Sequence, residues 1–281
     1  MKARHYPIGQ LGTLGNIGSM GGGNTGGNLG ITPEAGYVFF DGVNDYLERD
    51  GNFTGLVDSY NFTFSAFFKG FFPGHDGSWQ IFLGDQALSY FYIAKSPANT
   101  IFCYVRSATG GYLFFESTTP ITVLSGWTHV LISFDGRAPK KIQLLINGVD
   151  DYNPASLSDA WPVGGDKISV SPVPNWRLGS YATGIYPFSG FLAEPFFNVS
   201  DSFFDIAVSS NVLKFLKPDN TPNYLGINGQ LPLGISPTMF CSTTYATQSV
   251  ADFIVNKGTG GGMNQIGLLE AINIGKIVLG T

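Results

Sequence analysis

Three histidines, two cysteines and a sparse set of carboxylates are the side chains of this chain that could do chemistry. Glycoside hydrolysis needs a carboxyl of raised pKa beside a second carboxylate. No Glu-x-Asp-x-x-Glu type of cluster occurs, and Glu194 stands alone in its segment, far in sequence from Glu48 and Glu116. Alternation puts Glu194 on the face of Leu192 and Phe196, which reads as a buried hydrogen-bonding anchor rather than an acid catalyst. His5 lies in a glycine-rich N-terminus, His75 in a Pro-Gly-His-Asp-Gly loop, and His129 on the polar side of an alternating run. No Ser/His/Asp or Cys/His arrangement follows from those positions. Cys103 and Cys241 are 138 positions apart, without metal or redox spacing, and read as two free, buried thiols. Calcium wants six to eight oxygens from converging loops. Asp150-Asp151 after the Asn147-Gly148 turn, with Asp76 and Asp85, are the candidates for it, but acidic neighbours after a turn are ordinarily just solvated. No catalytic residue, metal or other cofactor is therefore expected, and the chain does not read as an enzyme. Ligand binding by aromatic rings is the sharper possibility, since sugars stack on exposed rings. Trp79, Trp161, Trp176, Tyr181 and Tyr186, all in Gly/Pro-rich surroundings, are the candidate glycan-binding set. The alternative is that these rings plug the ends of the fold.

The elements that would position such rings follow from composition. The 281 residues carry 12% charged and 15% aromatic residues, with 38 Gly and 16 Pro. Helices favour Ala, Leu, Glu and Lys, whereas strands and tight turns favour aromatics, Thr and Gly, so an all-β protein is expected. The net charge of −5 and pI near 5.1 leave no basic stripe to neutralise phosphates, so nucleic acid is not an expected partner. No apolar run approaches the ~18 residues of a membrane span. The opening Met-Lys-Ala-Arg-His-Tyr has no apolar stretch behind it and does not read as an export signal. In that light Asn52, Asn61 and Asn198 are chance matches to the glycosylation pattern.

Three regions differ in texture. Residues 1–35 hold a glycine every third position from Gly9 to Gly21, and between them Leu11, Leu14, Ile17 and Met20 recur with the same period. In a chain with three residues per turn these four would share one apolar edge, which suits an assembly arm docking on another surface. A plain flexible linker is the other reading. From residue 36 to 200, short alternating runs are separated by Gly, Pro and Asp/Asn turns, as in a two-sheet antiparallel sandwich. Phe62, Phe64, Ala66 and Phe68 share one face of their run, with Thr63, Ser65, Phe67 and Lys69 on the other, expected to face solvent. Val130, Ile132 and Phe134, then Ile142, Leu144 and Ile146, repeat the pattern, and Phe64, Ile132 and Leu144 are expected in the inter-sheet core. Residues 201–281 are irregular, with short helices expected at 208–216 and 248–255. This extension should pack on the sandwich or on a neighbouring molecule, because an exposed apolar tail such as 266–279 invites aggregation.

Four stretches carry a resemblance. Phe40-Asp-Gly-Val-Asn-Asp-Tyr-Leu-Glu48, Gly126-Trp-Thr-His-Val130, Leu145-Ile-Asn-Gly-Val149 and Phe188-Ser-Gly-Phe-Leu-Ala-Glu194, in that order and spacing, resemble the concanavalin A-like, laminin G-type jelly-roll sandwich. The resemblance implies a buried acidic anchor at Glu194, and it allows either glycan or calcium ligands. A second resemblance lies further on. Leu213–Asn220, Tyr224-Leu-Gly226, Pro237–Phe240 and Asn256–Gly262 are similar to the tail that follows this sandwich in many tailed-phage and prophage proteins. It implies a structural virion protein, decorating a capsid or belonging to a tail, with other virion proteins, copies of itself or a cell-surface glycan as partners. A carbohydrate-binding module for glycan attachment is the alternative that the same residues support.

Overall fold

A computed structural model describes residues 35–70, 77–86, 89–122, 126–181, 185–244 and 249–271. The assembly-arm residues Leu11, Leu14, Ile17 and Met20, with His5, His75 and Asp76, lie outside them. In chain order the strands are β1 (Ala35–Asp41), β2 (Tyr46–Asp50), β3 (Asn61–Lys69), β4 (Gln80–Asp85), β5 (Phe91–Lys95), β6 (Ile101–Arg106), β7 (Tyr112–Ser117), β8 (Thr128–Asp135), β9 (Lys141–Ile146), β10 (Val149–Asp150), β11 (Tyr152–Asp159), β12 (Asn175–Leu178) and β13 (Ser189–Ser200). The one-turn helix α1 (Ser209–Val212) follows, then β14 (Met239–Phe240), β15 (Thr243–Thr244), α2 (Val250–Phe253), β16 (Asn264–Ile266) and β17 (Glu270–Ala271).

Among the described residues two antiparallel sheets face each other. A nine-stranded sheet runs β10-β9-β8-β3-β13-β1-β15, with β14 added to β13 and β17 to β1. An eight-stranded sheet runs β11-β7-β6-β5-β4-β12-β2-β16. The period-two pattern explains the layer between them. Phe62, Phe64, Ala66, Phe68, Val130, Ile132, Phe134, Leu144 and Ile146 from one sheet meet Leu47, Leu83, Phe91, Ile93, Cys103, Val105, Leu113, Phe115 and Trp176 from the other. Phe64, Ile132 and Leu144 are fully buried there, as their alternation requires. Both cysteines are free and buried, and burial holds both thiols well above their ordinary pKa.

One expectation is corrected. The opposite face of β3 is exposed only at its end: Lys69 is exposed as expected, but Thr63, Ser65 and Phe67 are all buried. The residues after β13 lie across this side of the nine-stranded sheet. Ile206, Phe215, Leu225 and Phe240 close over Leu131, Leu145 and Phe196. The polar phase supplies the attachment points. Ser133 donates to the Phe204 carbonyl at 2.6 Å, the Gln143 amide donates to Asp205 at 2.7 Å, and Gln143 accepts from the Ile206 N–H at 2.8 Å. Ser133 is thus buried, and Gln143 half-buried, with hydrogen-bond partners rather than left unsatisfied. Asn61 and Asn198 are buried in the same layer. The helices are shorter than expected, a single turn each at Ser209–Val212 and Val250–Phe253. Neither has a side-chain N-cap hydrogen bond, and an isolated turn carries the nucleation cost without the gain of propagation.

Candidate functional site

The outer side of the eight-stranded sheet has a different character from the covered face. In β6 the residues Ile101, Cys103 and Val105 go to the core, which turns Phe102, Tyr104 and Arg106 outward. In β7 Leu113 and Phe115 go inward, leaving Tyr112, Phe114 and Glu116 outside; in β5 Phe91 and Ile93 go inward, leaving Tyr92 outside. Register brings these outward rings side by side, with Tyr92 opposite Tyr104 and Tyr104 opposite Phe114. Tyr92 stacks on Tyr104 at 5.1 Å and on Phe102 at 5.5 Å, with planes within 13°. Phe102 and Phe114 are 5.3 Å apart, and Tyr112 continues the array at 6.2 Å from Tyr104. Near-parallel offset rings overlap like shingles, so Phe102 is almost covered while the marginal Tyr112 stays 40% exposed. Burial pushes the Tyr92 and Tyr104 phenols above their ordinary pKa, so they stay neutral hydrogen-bonding groups.

Next to the rings the face becomes polar. Gly84 in β4 lies opposite Tyr92, and a Cβ there would stand 2.8 Å from the Tyr92 Cβ. Beyond this gap Arg177 of β12 pairs with Glu48 of β2, Nη2 to Oε2 at 2.8 Å and Nε to Oε2 at 3.0 Å. The Asn175 amide bridges Glu48 and Gln86. The Arg177 guanidinium lies 4.7 Å over the Tyr46 ring and donates to the Tyr181 carbonyl at 2.9 Å. That bond ties a border loop to the face. Tyr181 and Tyr186 stack at 6.1 Å, and the Tyr186 carbonyl accepts from the Ile81 N–H of β4. Tyr186 is 41% exposed and has φ of +52°. A bulky residue in the left-handed region costs about 1–3 kcal/mol, and such strain concentrates at ligand-contacting sites.

The expected glycan set therefore divides. Tyr181 and Tyr186 border this face, and Trp79 packs edge-on against Phe102 at 5.1 Å. Trp161 and Trp176 are corrected, since both are core residues. The Trp161 indole donates to the Gly136 carbonyl at 3.0 Å and meets Phe134 edge-on. Trp176 donates to Asn52 and packs on Phe53, Phe91 and Phe197. The residues missed by the sequence reading are Tyr92, Phe102, Tyr104, Tyr112 and Phe114. Their signal was present: in 101–106 and 112–116 aromatics or charges occupy one phase while the other is largely aliphatic.

Two carboxylates of this face, Glu48 and Asp50, share one phase of β2, but Glu48 is tied up by Arg177; the third is distant. Glu48 on β2 and Glu116 on β7 are five strand spacings apart, about 24 Å along the sheet. Glycosidase carboxyl pairs are about 5–9.5 Å apart. Glu48 is held by Arg177, and Glu116 accepts from Thr100. Glu194 is on the other sheet, in a bulge of β13 with φ of +51°. That bulge also breaks the alternation, so Phe196 packs with the covering segment rather than with Leu192 in the inter-sheet core. Ser242 donates to the Glu194 carboxyl at 2.6 Å. Burial pushes its pKa up to about 7, opposed by that hydrogen bond and by the Lys257 charge. Asp151 is committed to Thr119 through two hydrogen bonds, and Asp85 accepts the Ser89, Tyr90 and Phe91 N–H groups. Among the described residues no three His, Cys, Asp or Glu side chains gather at one point.

Residues 41–195 match the family model of the concanavalin A-like lectin/glucanases superfamily, laminin G type. The chain belongs to this superfamily. Among solved structures, its sandwich is similar to that of a Bacteroides ovatus protein proposed to bind carbohydrate, with a TM-score of 0.54 at 16% identity. That match covers 85% of this chain and 60% of the other, so the chain spans less than two thirds of that protein. A heptameric pentraxin of Limulus polyphemus follows at 14% identity, covering 69% of this chain and 88% of the pentraxin, with a TM-score of 0.44. The mouse laminin α1 LG4-5 domains match at 11% identity over 62% of this chain and 45% of theirs, with a TM-score of 0.42. At such identities the likeness is one of fold. No curated protein sequence matches the chain significantly.

Proposed function

We propose that this member of the superfamily is a non-catalytic glycan-binding module whose ligand face is the outer side of the eight-stranded sheet. The observation that carries this reading is the joined array of Tyr92, Phe102, Tyr104, Tyr112 and Phe114, next to the Arg177–Glu48–Asn175 group on one face. Rings offer apolar surface to the C–H side of a sugar, and fixed amide, guanidinium and carboxylate groups suit its hydroxyls. The strained Tyr186 at the border adds a ring held in place before the ligand arrives. The engagement of Glu48 by Arg177, which leaves its strand neighbour Asp50 without a free carboxyl partner, and the wide separation of Glu48 from Glu116 support binding without hydrolysis. The test is retention of the full chain in native gels cast with a panel of neutral and acidic polysaccharides, alongside a reducing-sugar assay. At least one polysaccharide should retard the wild-type protein, without release of reducing sugar. Retardation by none of the panel, or hydrolysis that Glu194→Gln abolishes, overturns the reading.

A place in a virion, as capsid decoration or tail component, is the second reading, and it is compatible with the first. What favours it is that the phage-like stretches 237–240 and 256–262 are knitted into one unit. Lys257 N donates to Phe240 O, Thr259 N to Pro237 O, and Gly260 N to Thr238 O. The Asn256 side chain accepts from Phe240 N and donates to Thr238 and Gly261. The presence of the protein in purified particles, and its copy number, tests that location.

A further inference from the structure

The covered side of the molecule has an opening. A groove of about 700 Å³ lies between the β9–β10 hairpin and the segment around α1, with Leu145, Asn147, Ile206, Val212, Leu213 and Leu216 among its walls. It is on the nine-stranded sheet, so it is separate from the proposed glycan face and independent of that reading. Its apolar walls and polar mouth suit a side-chain-bearing segment better than bulk water.

Register shows which segment is within reach. Tyr37 of β1 pairs with Ala193, Ala193 with Phe67, and Phe67 with His129. His129 exchanges hydrogen bonds with Asn147, a wall of the groove. Tyr37 and Asn147 thus share one cross-strand row, four strand spacings or about 19 Å apart. Between them, Tyr37, Phe67 and the groove residue Leu216 belong to one apolar cluster. The chain enters β1 at Ala35, two residues from Tyr37. The residues before it are 22–34, thirteen in number and rich in Gly, and before those lies the period-three apolar edge of residues 9–21. A Gly-rich spacer of that length has a root-mean-square span of about 18–22 Å. It matches the distance to the groove, the condition under which a tethered segment reaches its highest effective concentration.

We infer that the groove is the seat of the chain's own N-terminal arm, with Leu11, Leu14, Ile17 and Met20 lying on its apolar walls. The C-terminal residues 272–281 are the competing segment, and they fit less well. They follow β17, which is paired to Val38 on the far side of β1, about 24 Å from β9. Ten extended residues reach about 33–36 Å, which leaves roughly three for the groove. Their apolar run also begins at Ile272 with no spacer.

Thiol chemistry tests the seat in the full chain, because both native cysteines are buried and their thiols unreactive. Leu213 is 46% exposed, so it can be replaced at little cost; Val163, 97% exposed on a loop remote from the groove, serves as the control. The double variant Leu14→Cys/Leu213→Cys should form a cross-link within one chain under mild oxidation, whereas Leu14→Cys/Val163→Cys should not. In the single variant Leu213→Cys, maleimide should react about tenfold more slowly than after Leu14→Asp and Ile17→Asp are added, as expected for a site filled by a tethered segment. No cross-link, equal cross-linking at both sites, cross-links only between chains, or a maleimide rate indifferent to the arm substitutions would each overturn the inference.

Discussion

At the residue scale, two buried titratable groups on the nine-stranded sheet set opposite pH dependences. His129 is fully buried, with Nε2 at 2.9 Å from Ser65 Oγ, its ring against Phe67 and Nδ1 without a hydrogen-bond partner among the described residues. Burial lowers its pKa to about 3. A histidine depressed in this way gives stability that is complete above the unfolded value of 6.5 and is lost as pH falls toward 3. The loss is about 1.4 kcal/mol per unit, or about 5 kcal/mol in all. Glu194 works in the other direction. Its folded pKa of about 7 exceeds 4.5, so its contribution is complete below pH 4.5 and is lost as pH rises to 7, about 3 kcal/mol. Urea titrations between pH 3.5 and 8 check both signs. Relative to wild type, His129→Gln should flatten the acid side and Glu194→Gln should gain stability at pH 8 over pH 4. The same scale shows why the tryptophan assignments failed in part. Gly/Pro-rich surroundings mark Trp161 and Tyr181 alike as loop residues, and Trp176 sits in a strand. Which rings point inward depends on hydrogen bonds to Gly136 and Asn52, which are remote in sequence.

At the element scale, alternation located β3, β8 and β9 and the phase of each. It did not say what lies on the second face. Thr63, Ser133 and Gln143 are polar, as on a solvent-facing side, yet Ser133 and Gln143 are the hydrogen-bonding anchors of residues 204–206. A polar residue that binds water and one that binds a covering loop look alike in a single sequence. The bulge at Glu194 was equally invisible, because it depends on pairing with β3 rather than on local composition. Paired substitutions in β3 check this layer. Phe64→Ala should cost about 3–5 kcal/mol through lost transfer energy and a cavity. Thr63→Ala should cost about 1 kcal/mol, more than a surface change of within about 0.5 kcal/mol. A neutral Thr63→Ala in urea unfolding would mean that the covering layer does not close there.

At the scale of the whole molecule, the two sheets share one core and differ in their outer sides. One is closed by residues 203–240, with a groove left beside β9. The other carries an aromatic array merging into a polar group. That asymmetry is the physical basis for assigning recognition to the eight-stranded sheet. The fold class was legible from strand periodicity, but the site was only partly so, because it forms from residues of β5, β6 and β7 that touch solely through register. A calorimetric titration of the best-retained polysaccharide against the full chain tests the central claim most directly. Tyr112→Ala, at the exposed margin of the array, should weaken binding about 5- to 10-fold, the worth of one stacked ring. Tyr224→Ala, 70% exposed on the segment that covers the other sheet, should leave it unchanged. Equal affinities for wild type and Tyr112→Ala, with a loss at Tyr224→Ala, would place the ligand on the wrong side of the molecule for this account and contradict it.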